Sequence, residues 1–466
     1  EVKFHAEEKD NDRIPRLLIF LNSREVAEYN VTGTRDEPQI AVLDYYVEDL
    51  PSRKNEEGNV ILGIGFNNIY PQEGGRGQGG DEYKKGTSVY IQSVEVIDGY
   101  QVQRPLTDGR EFDQSLLSSQ EENLVRKYLT RFLSQAYRRP VGDVSKWMTR
   151  YQSFRQGGAS ISESLRACMQ VALSSPDFLY LASVEGLQGE ALHYAIASRL
   201  SYFLWSTLPD QELLDLAEKQ QLLDPKVLEQ QVERMLRHPN ADRFYRNYAL
   251  RWTGLQRLDV PFDEKDTWHR AQRYVEQAMQ QEAVAFFREV VENNLSAQLF
   301  LDSDFAMSND VMAAYLGYPG KFDATFRRVP LQSDDPRGGL LGQAGIMAFT
   351  GHGKPPITRG VWMARKILDD PPPDPPLNVP DLNAKDPSLS KRTLREQLRV
   401  HQEHVDCAVC HKKIDPLGFA FEQFDPTGRW IEFEKRGKEN VAIDTAGHMP
   451  RGEKFQTYEE MKKILL

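Results

Sequence analysis

One pentapeptide restricts this chain more than any other stretch: Cys407-Ala-Val-Cys410-His411. Two thiols at this spacing on one helical turn can add to the two vinyl groups of a haem, while the adjacent imidazole reaches the iron from the same side. A thioredoxin-like pair would need a βαβ context. A zinc site would need two further Cys or His ligands, which His401, His404 and His448 could supply. The leading expectation is one covalent haem c on Cys407 and Cys410 with His411 as the proximal iron ligand, because no second C-x-x-C-H occurs. Three cysteines in 466 residues cannot make a disulfide framework. The third, Cys168, falls at helical spacing with Leu165, Met169 and Leu173 and reads as a buried thiol.

Charge and hydropathy narrow the partners. With 58 basic against 69 acidic side chains the net charge is −11, the wrong sign for a chain that wraps nucleic acid. No apolar run approaches the roughly 18–20 residues of a membrane span. The chain begins at Glu1 without an initiator Met, a basic n-region or an apolar h-region, and reads as a processed or partial product whose export signal was removed or lies upstream. Haem c ligation is built outside the cytoplasm, so the expected location is periplasmic or otherwise extracytoplasmic.

A length of 466 residues calls for several domains. Up to residue 105 the pattern is strand-like, with β-branched and aromatic runs at 16–21, 39–43, 59–66 and 88–97 separated by Gly, Pro, Asn and Asp, which suggests an all-β sandwich. The period then becomes helical. Leu124, Val125, Tyr128, Leu129, Phe132 and Leu133 mark one face of a helix ended by Arg139-Pro140. Further helices are expected over 162–173, 192–205, 211–219, 225–237, 241–252 and about 272–293. Six prolines among the twelve residues from Asp369 to Pro380 predict an extended linker. The expected division is 1–105 β-sandwich, 106–185 and 186–305 helical domains, 306–380 a helical and loop domain ending in the Pro-rich linker, and 381–466 a small α-helical, cytochrome c-like haem domain. Asp415-Pro416 is expected to cap the haem helix and turn the chain.

Three stretches carry a family resemblance: Arg199-Leu-Ser-Tyr-Phe-Leu-Trp-Ser-Thr-Leu-Pro-Asp210 with Glu212-Leu-Leu214; Arg337-Gly-Gly-Leu-Leu-Gly-Gln343 through His352 to Arg359-Gly360; and His404 to His411 with Asp415-Pro-Leu-Gly-Phe-Ala-Phe-Glu422, Phe424-Asp425 and Gly428-Arg429-Trp430. Tyr137-Arg-Arg-Pro-Val141 is a further element. Together they resemble the multidomain planctomycete-type cytochrome c proteins, built from domains of unknown function, from about Leu124 to Leu466. The resemblance implies an extracytoplasmic c-type haem protein, often encoded with other cytochrome and carbohydrate-related modules. The stretch after His352, Gly-Lys-Pro-Pro-Ile-Thr, is shorter than the Asn-Arg-Thr-Ser-Pro type common in that family.

The iron's second axial position separates electron transfer from catalysis. Met449 follows His411 by 38 positions, as a distal Met does in small cytochromes c; His448 beside it is an imidazole alternative, and His352 lies in a Gly-rich loop that could fold back over the haem. An open position, or a ligand from another residue, is the remaining choice. Arg359, Arg429 and Trp430 are candidate donors to the haem propionates, against ordinary surface pairing. His401 and His404 lie too close to the motif on its own side, and His193, His238 and His269 read as satisfied helix residues. Phe66-Asn67-Asn68, a Gly-rich loop and Asp81 resemble the calcium-dependent carbohydrate-binding modules often joined to this family, making Asn67, Asn68 and Asp81 candidate Ca²⁺ ligands.

Three functions compete. The first is an electron-transfer cytochrome exchanging electrons with a redox partner protein such as another cytochrome. The second is a haem enzyme, peroxidase-like or acting on an extracellular substrate. The third is a polysaccharide-binding scaffold with a subsidiary haem domain.

Overall fold

The computed structural model describes residues 2–7, 16–21, 24–31, 39–41, 62–67, 88–94, 117–332, 335–353, 355–373, 394–401, 405–436 and 439–466. The protein is multidomain and largely helical, with few small strands. Two units separate: residues 97–245, and residues 1–96 with 246–466.

The N-terminal strands are β1 (Val2–Glu7), β2 (Arg16–Leu21), β3 (Arg24–Asn30), β4 (Gln39–Ala41), β5 (Leu62–Asn67) and β6 (Ser88–Val94). They form two antiparallel three-stranded sheets, ordered β4-β1-β6 and β3-β2-β5. Leu17 pairs with Tyr29 on one side and Phe66 on the other. Strands β1 and β3 add to the expected set. Their interspersed charged residues gave no strong apolar run to mark them.

The unit over 97–245 holds α1 (Leu117–Ala136), α2 (Ser145–Gln156), α3 (Ile161–Leu173), α4 (Pro176–Leu179), α5 (Gly189–Trp205), α6 (Gln211–Glu218) and α7 (Pro225–Leu236). Val125, Leu129 and Leu133 of α1 meet Met148 and Tyr151 of α2 and Leu165, Cys168 and Ala172 of α3 in one apolar core, so Cys168 is a buried structural thiol. Local chemistry sets the helix starts. Ser160 and Glu163 form a reciprocal capping box on α3, while Asp210 and Asp224 accept backbone N–H groups at the starts of α6 and α7. The Tyr137-Arg-Arg-Pro motif also acts locally: buried Arg138 donates to the carbonyls of Asp177, Phe178 and Tyr180 at 2.5, 3.1 and 2.9 Å, holding the chain at and after α4.

After α8 (Asp242–Thr253), the second unit continues with α9 (Gln272–Glu292), β7 (Phe305–Ser308), α10 (Asp310–Leu316), β8 (Arg327–Pro330), α11 (Ala344–Phe349), α12 (Pro355–Lys366), α13 (Leu394–His401), α14 (Val405–Phe419), β9 (Phe433–Arg436), β10 (Glu439–Ala442), β11 (Gly447–His448), β12 (Lys454–Phe455) and α15 (Tyr458–Leu465). Its core joins Phe286 and Val290 of α9, Met347 of α11, Trp362 and Met363 of α12, Leu417 of α14, Phe421, Phe424, Met449, and Tyr458 and Met461 of α15. The C-terminal segment is not the all-helical domain expected. Two antiparallel pairs, β9–β10 and β11–β12, stand between α14 and α15. They are two to four residues long, too short to show a readable alternation.

Candidate functional site

The C-x-x-C-H motif lies on α14, so Cys407, Cys410 and His411 fall within about one turn of a single helix. Cys410 is a half-buried free thiol. The His411 side chain is 13% exposed, and its Nδ1 lies 2.9 Å from Oδ1 and 3.1 Å from Oδ2 of Asp415, whose side chain is completely buried. Carboxylate oxygens accept, so Nδ1 carries the proton and Nε2 is the nitrogen that would meet a metal.

The pair exists because α14 does not stop where the sequence suggests. Asp415-Pro416 was expected to end the helix, yet the helix runs through Pro416 to Phe419. A proline in a helix interior costs about 3 kcal/mol. Burial of Leu417, Phe419, Ala420 and Phe421 offsets that, at about 1.5–3 kcal/mol for each large apolar side chain. Because the helix continues, one helical turn places Asp415 beside His411.

Two glycines let α12 approach α14 backbone to backbone. A Cβ on Gly360 would stand 2.0 Å from the Ile414 carbonyl oxygen, and one on Gly418 would stand 1.6 Å from that of Pro356. Arg359, 1% exposed, then fastens the chain leaving α14. Its Nη1 donates to the carbonyls of Phe421 and Phe424 at 2.8 and 2.7 Å, and its Nη2 to those of Asp425 and Met347 at 2.8 and 3.1 Å. Burial pulls this guanidinium down to about 10, with Asp425 and Glu422 opposing.

Arg359 spends both Nη groups on backbone carbonyls. Arg429 pairs with Asp266 at 2.5 Å and Asp425 at 3.2 Å, and its guanidinium lies over the Tyr315 ring. Trp430 packs edge-on against Phe424 and near Tyr458. His352 is exposed, with Nε2 2.5 Å from the Asp259 carbonyl oxygen. Its neighbour Gly351 packs on Pro426, past the C-terminal end of α14. Even Gly418, within that helix, is seven residues and about 10 Å along the axis from His411. Met449 is buried in the apolar core, and exposed His448 points Nδ1 at the Met449 carbonyl at 3.1 Å. The β11 strand that carries His448 packs directly on α14, a Cβ on Gly447 standing 2.3 Å from the Pro416 carbonyl oxygen. The structure holds His352 at the Asp259 carbonyl and Met449 among the apolar side chains of the core. His404, Asn68 and Asp81 lie outside the described residues, as do the side chains of Cys407, His401 and Asn67. Among the described residues, no group of three or more His, Cys, Asp and Glu is arranged to hold a metal ion. His193 accepts from the Leu222 backbone N–H at 3.1 Å, and His238 caps the turn at Pro239.

Three acidic residues were missed. Asp415 was legible in principle, as a carboxylate four positions after a histidine. Glu422 is raised to about 7, chiefly by burial, with Arg395 opposing. Glu282, on the buried face of α9, is raised to about 8 by burial, with Arg337 opposing, and its Oε2 has no hydrogen-bond partner among the described residues. No sequence pattern separates a buried glutamate from the exposed ones around it.

The donor set on α14 fits a covalent haem: thiols three apart, the adjacent imidazole, and a buried carboxylate on the imidazole's far nitrogen, as metal-bound histidines commonly have. Residues 124–182 match the family described as PSD5, protein of unknown function (DUF1595). Residues 192–318 match PSD4, protein of unknown function (DUF1592), and residues 337–434, which include α14, match PSCyt3, protein of unknown function (DUF1588). No curated protein and no solved structure matches the chain. In chain order, these are similarities to PSD5, PSD4 and PSCyt3, the planctomycete cytochrome c-type domains.

Proposed function

We propose that this chain is an extracytoplasmic c-type haem protein that exchanges electrons with a redox partner protein through one haem on Cys407 and Cys410. The observation that carries the reading is the C-x-x-C-H motif on α14 with His411 oriented by Asp415 at 2.9 Å. A bound haem supplies one-electron redox chemistry. The chain's own part is to hold the imidazole, fix α14 against α12 through Gly360 and Gly418, and lock the helix exit with Arg359. Attachment of haem c outside the cytoplasm places the mature protein in the periplasm or beyond. We read the two N-terminal sheets as the faces of a β-sandwich module carried with this haem unit.

A second reading, a haem enzyme with an open iron position, is favoured by where the distal candidates fall. Met449 is buried in the core, β11 lies against α14 itself, and His352 lies past that helix's far end. The visible spectrum of the purified holoprotein separates the two. A low-spin six-coordinate haem supports electron transfer, with its sixth ligand coming from a residue other than His352 and Met449. A high-spin haem that turns over peroxide supports the enzyme and overturns electron transfer.

A further inference from the structure

We propose that Asp415 is a positioning residue that tunes the iron through His411, holding the imidazole as the Nδ1–H tautomer and giving it partial imidazolate character; this rests on the reading of His411 as the proximal haem ligand. Both Asp415 oxygens lie within 3.1 Å of Nδ1, and the Asp415 side chain is completely buried. A neutral carbonyl acceptor would fix the same tautomer. A carboxylate does more, because it draws the Nδ1 proton and makes Nε2 a stronger donor, and its negative charge acts across a medium of low polarity. Both effects stabilise ferric over ferrous iron and lower the potential, second-sphere hydrogen bonding being one of the levers a protein has on haem.

The geometry is built to last. His411 and Asp415 occupy adjacent turns of α14, and the short Asp side chain leaves little slack. The flanking residues Ile414 and Leu417 are buried, and the carbonyl of Ile414 meets Gly360 of α12, so the turn that carries the carboxylate is clamped. Pro416 immediately follows and contributes no N–H to the helix ladder, yet the turn stays helical.

The test is redox titration of the holoprotein, wild type against Asp415→Asn, with covalent haem checked first by in-gel staining of both. Asparagine keeps the shape and an acceptor oxygen for Nδ1–H and removes the charge. The expected result is a rise in midpoint potential by at least a tenfold change in the oxidised-to-reduced ratio, about 59 mV for one electron. Equal potentials in two haem-loaded proteins overturn this proposal and leave the haem reading intact. A wild type without covalent haem overturns the haem reading and this proposal with it. If Asp415→Asn yields no holoprotein, ¹⁵N-histidine NMR of the wild-type holoprotein decides. A ligand Nδ1 resonance shifted from the neutral N–H position towards that of imidazolate supports the proposal, and one at the ordinary neutral N–H position overturns it.

Discussion

Arg359 donates through Nη1 to the carbonyl oxygen of Phe424 at 2.7 Å, tying α12 to the chain that leaves α14. The same guanidinium satisfies the carbonyls of Phe421, Asp425 and Met347, with no carboxylate in hydrogen-bonding contact among the described residues. A charge buried this way is costly to place and costlier to remove, since four acceptors lose their donor at once.

Replacing Arg359 by Met should therefore cost about 3–5 kcal/mol of stability. Lysine, with three donors on one nitrogen, should recover only part. Urea unfolding of the three proteins checks this, and an Arg359→Met loss within about 0.5 kcal/mol, the range of a plain surface change, would contradict it.

Gly418→Ala should destabilise by about 2 kcal/mol or more, because its Cβ would stand 1.6 Å from the Pro356 carbonyl oxygen and force α12 off α14. Far-UV thermal melts measure the loss. A melting temperature equal to the wild type would show that the two helices are not in backbone contact.

Stability should also depend on pH through Glu282. Unfolded, it titrates near 4.5; folded, near 8, because burial disfavours its charge. Between those values the folded state holds a proton the unfolded state lacks, so the stabilising contribution is full below about 4.5 and is lost as pH rises towards 8. Glu282→Gln should flatten that slope and gain on the wild type by an amount on the order of a few kcal/mol at pH 8. Melts at pH 5 and pH 8 provide the comparison, and parallel slopes for both proteins would refute it.

The helical middle was legible because burial on one face writes a 3.6-residue period into the sequence. The run from Leu192 to Trp205 lies within Gly189–Trp205, and that from Pro225 to Arg237 overlaps Pro225–Leu236. The motif on α14 was equally plain, since its chemistry needs one fixed spacing. The surroundings of individual side chains were not legible. Pro416 looked like a helix stop, which hid the partnership of Asp415 with His411; whether packing outweighs a proline depends on residues from α12 that lie some sixty positions away. Arg359 looked like a donor to an anion, and nothing local distinguishes that role from donation to four carbonyls. Met449 carries the soft thioether of a distal ligand, yet it fills the core beside Phe455 and Tyr458.

Replacing Met449 by Ala should cost about 2–5 kcal/mol through the cavity left in that core, and leave the haem's visible spectrum unchanged. His352→Ala should likewise leave the spectrum as it is, because this side chain is turned to the Asp259 carbonyl. Conversion from low-spin to high-spin in either variant would identify that residue as the distal ligand and contradict its assignment here.

The most direct measurement is the intact mass of the chain after expression with export and a haem-ligation system, with peptide mapping of residues 405–419. One haem per chain is expected, attached through Cys407 and Cys410 and absent from the Cys407→Ala, Cys410→Ala double variant. An unmodified chain with both thiols free, or one that binds zinc tightly and no haem, would contradict it.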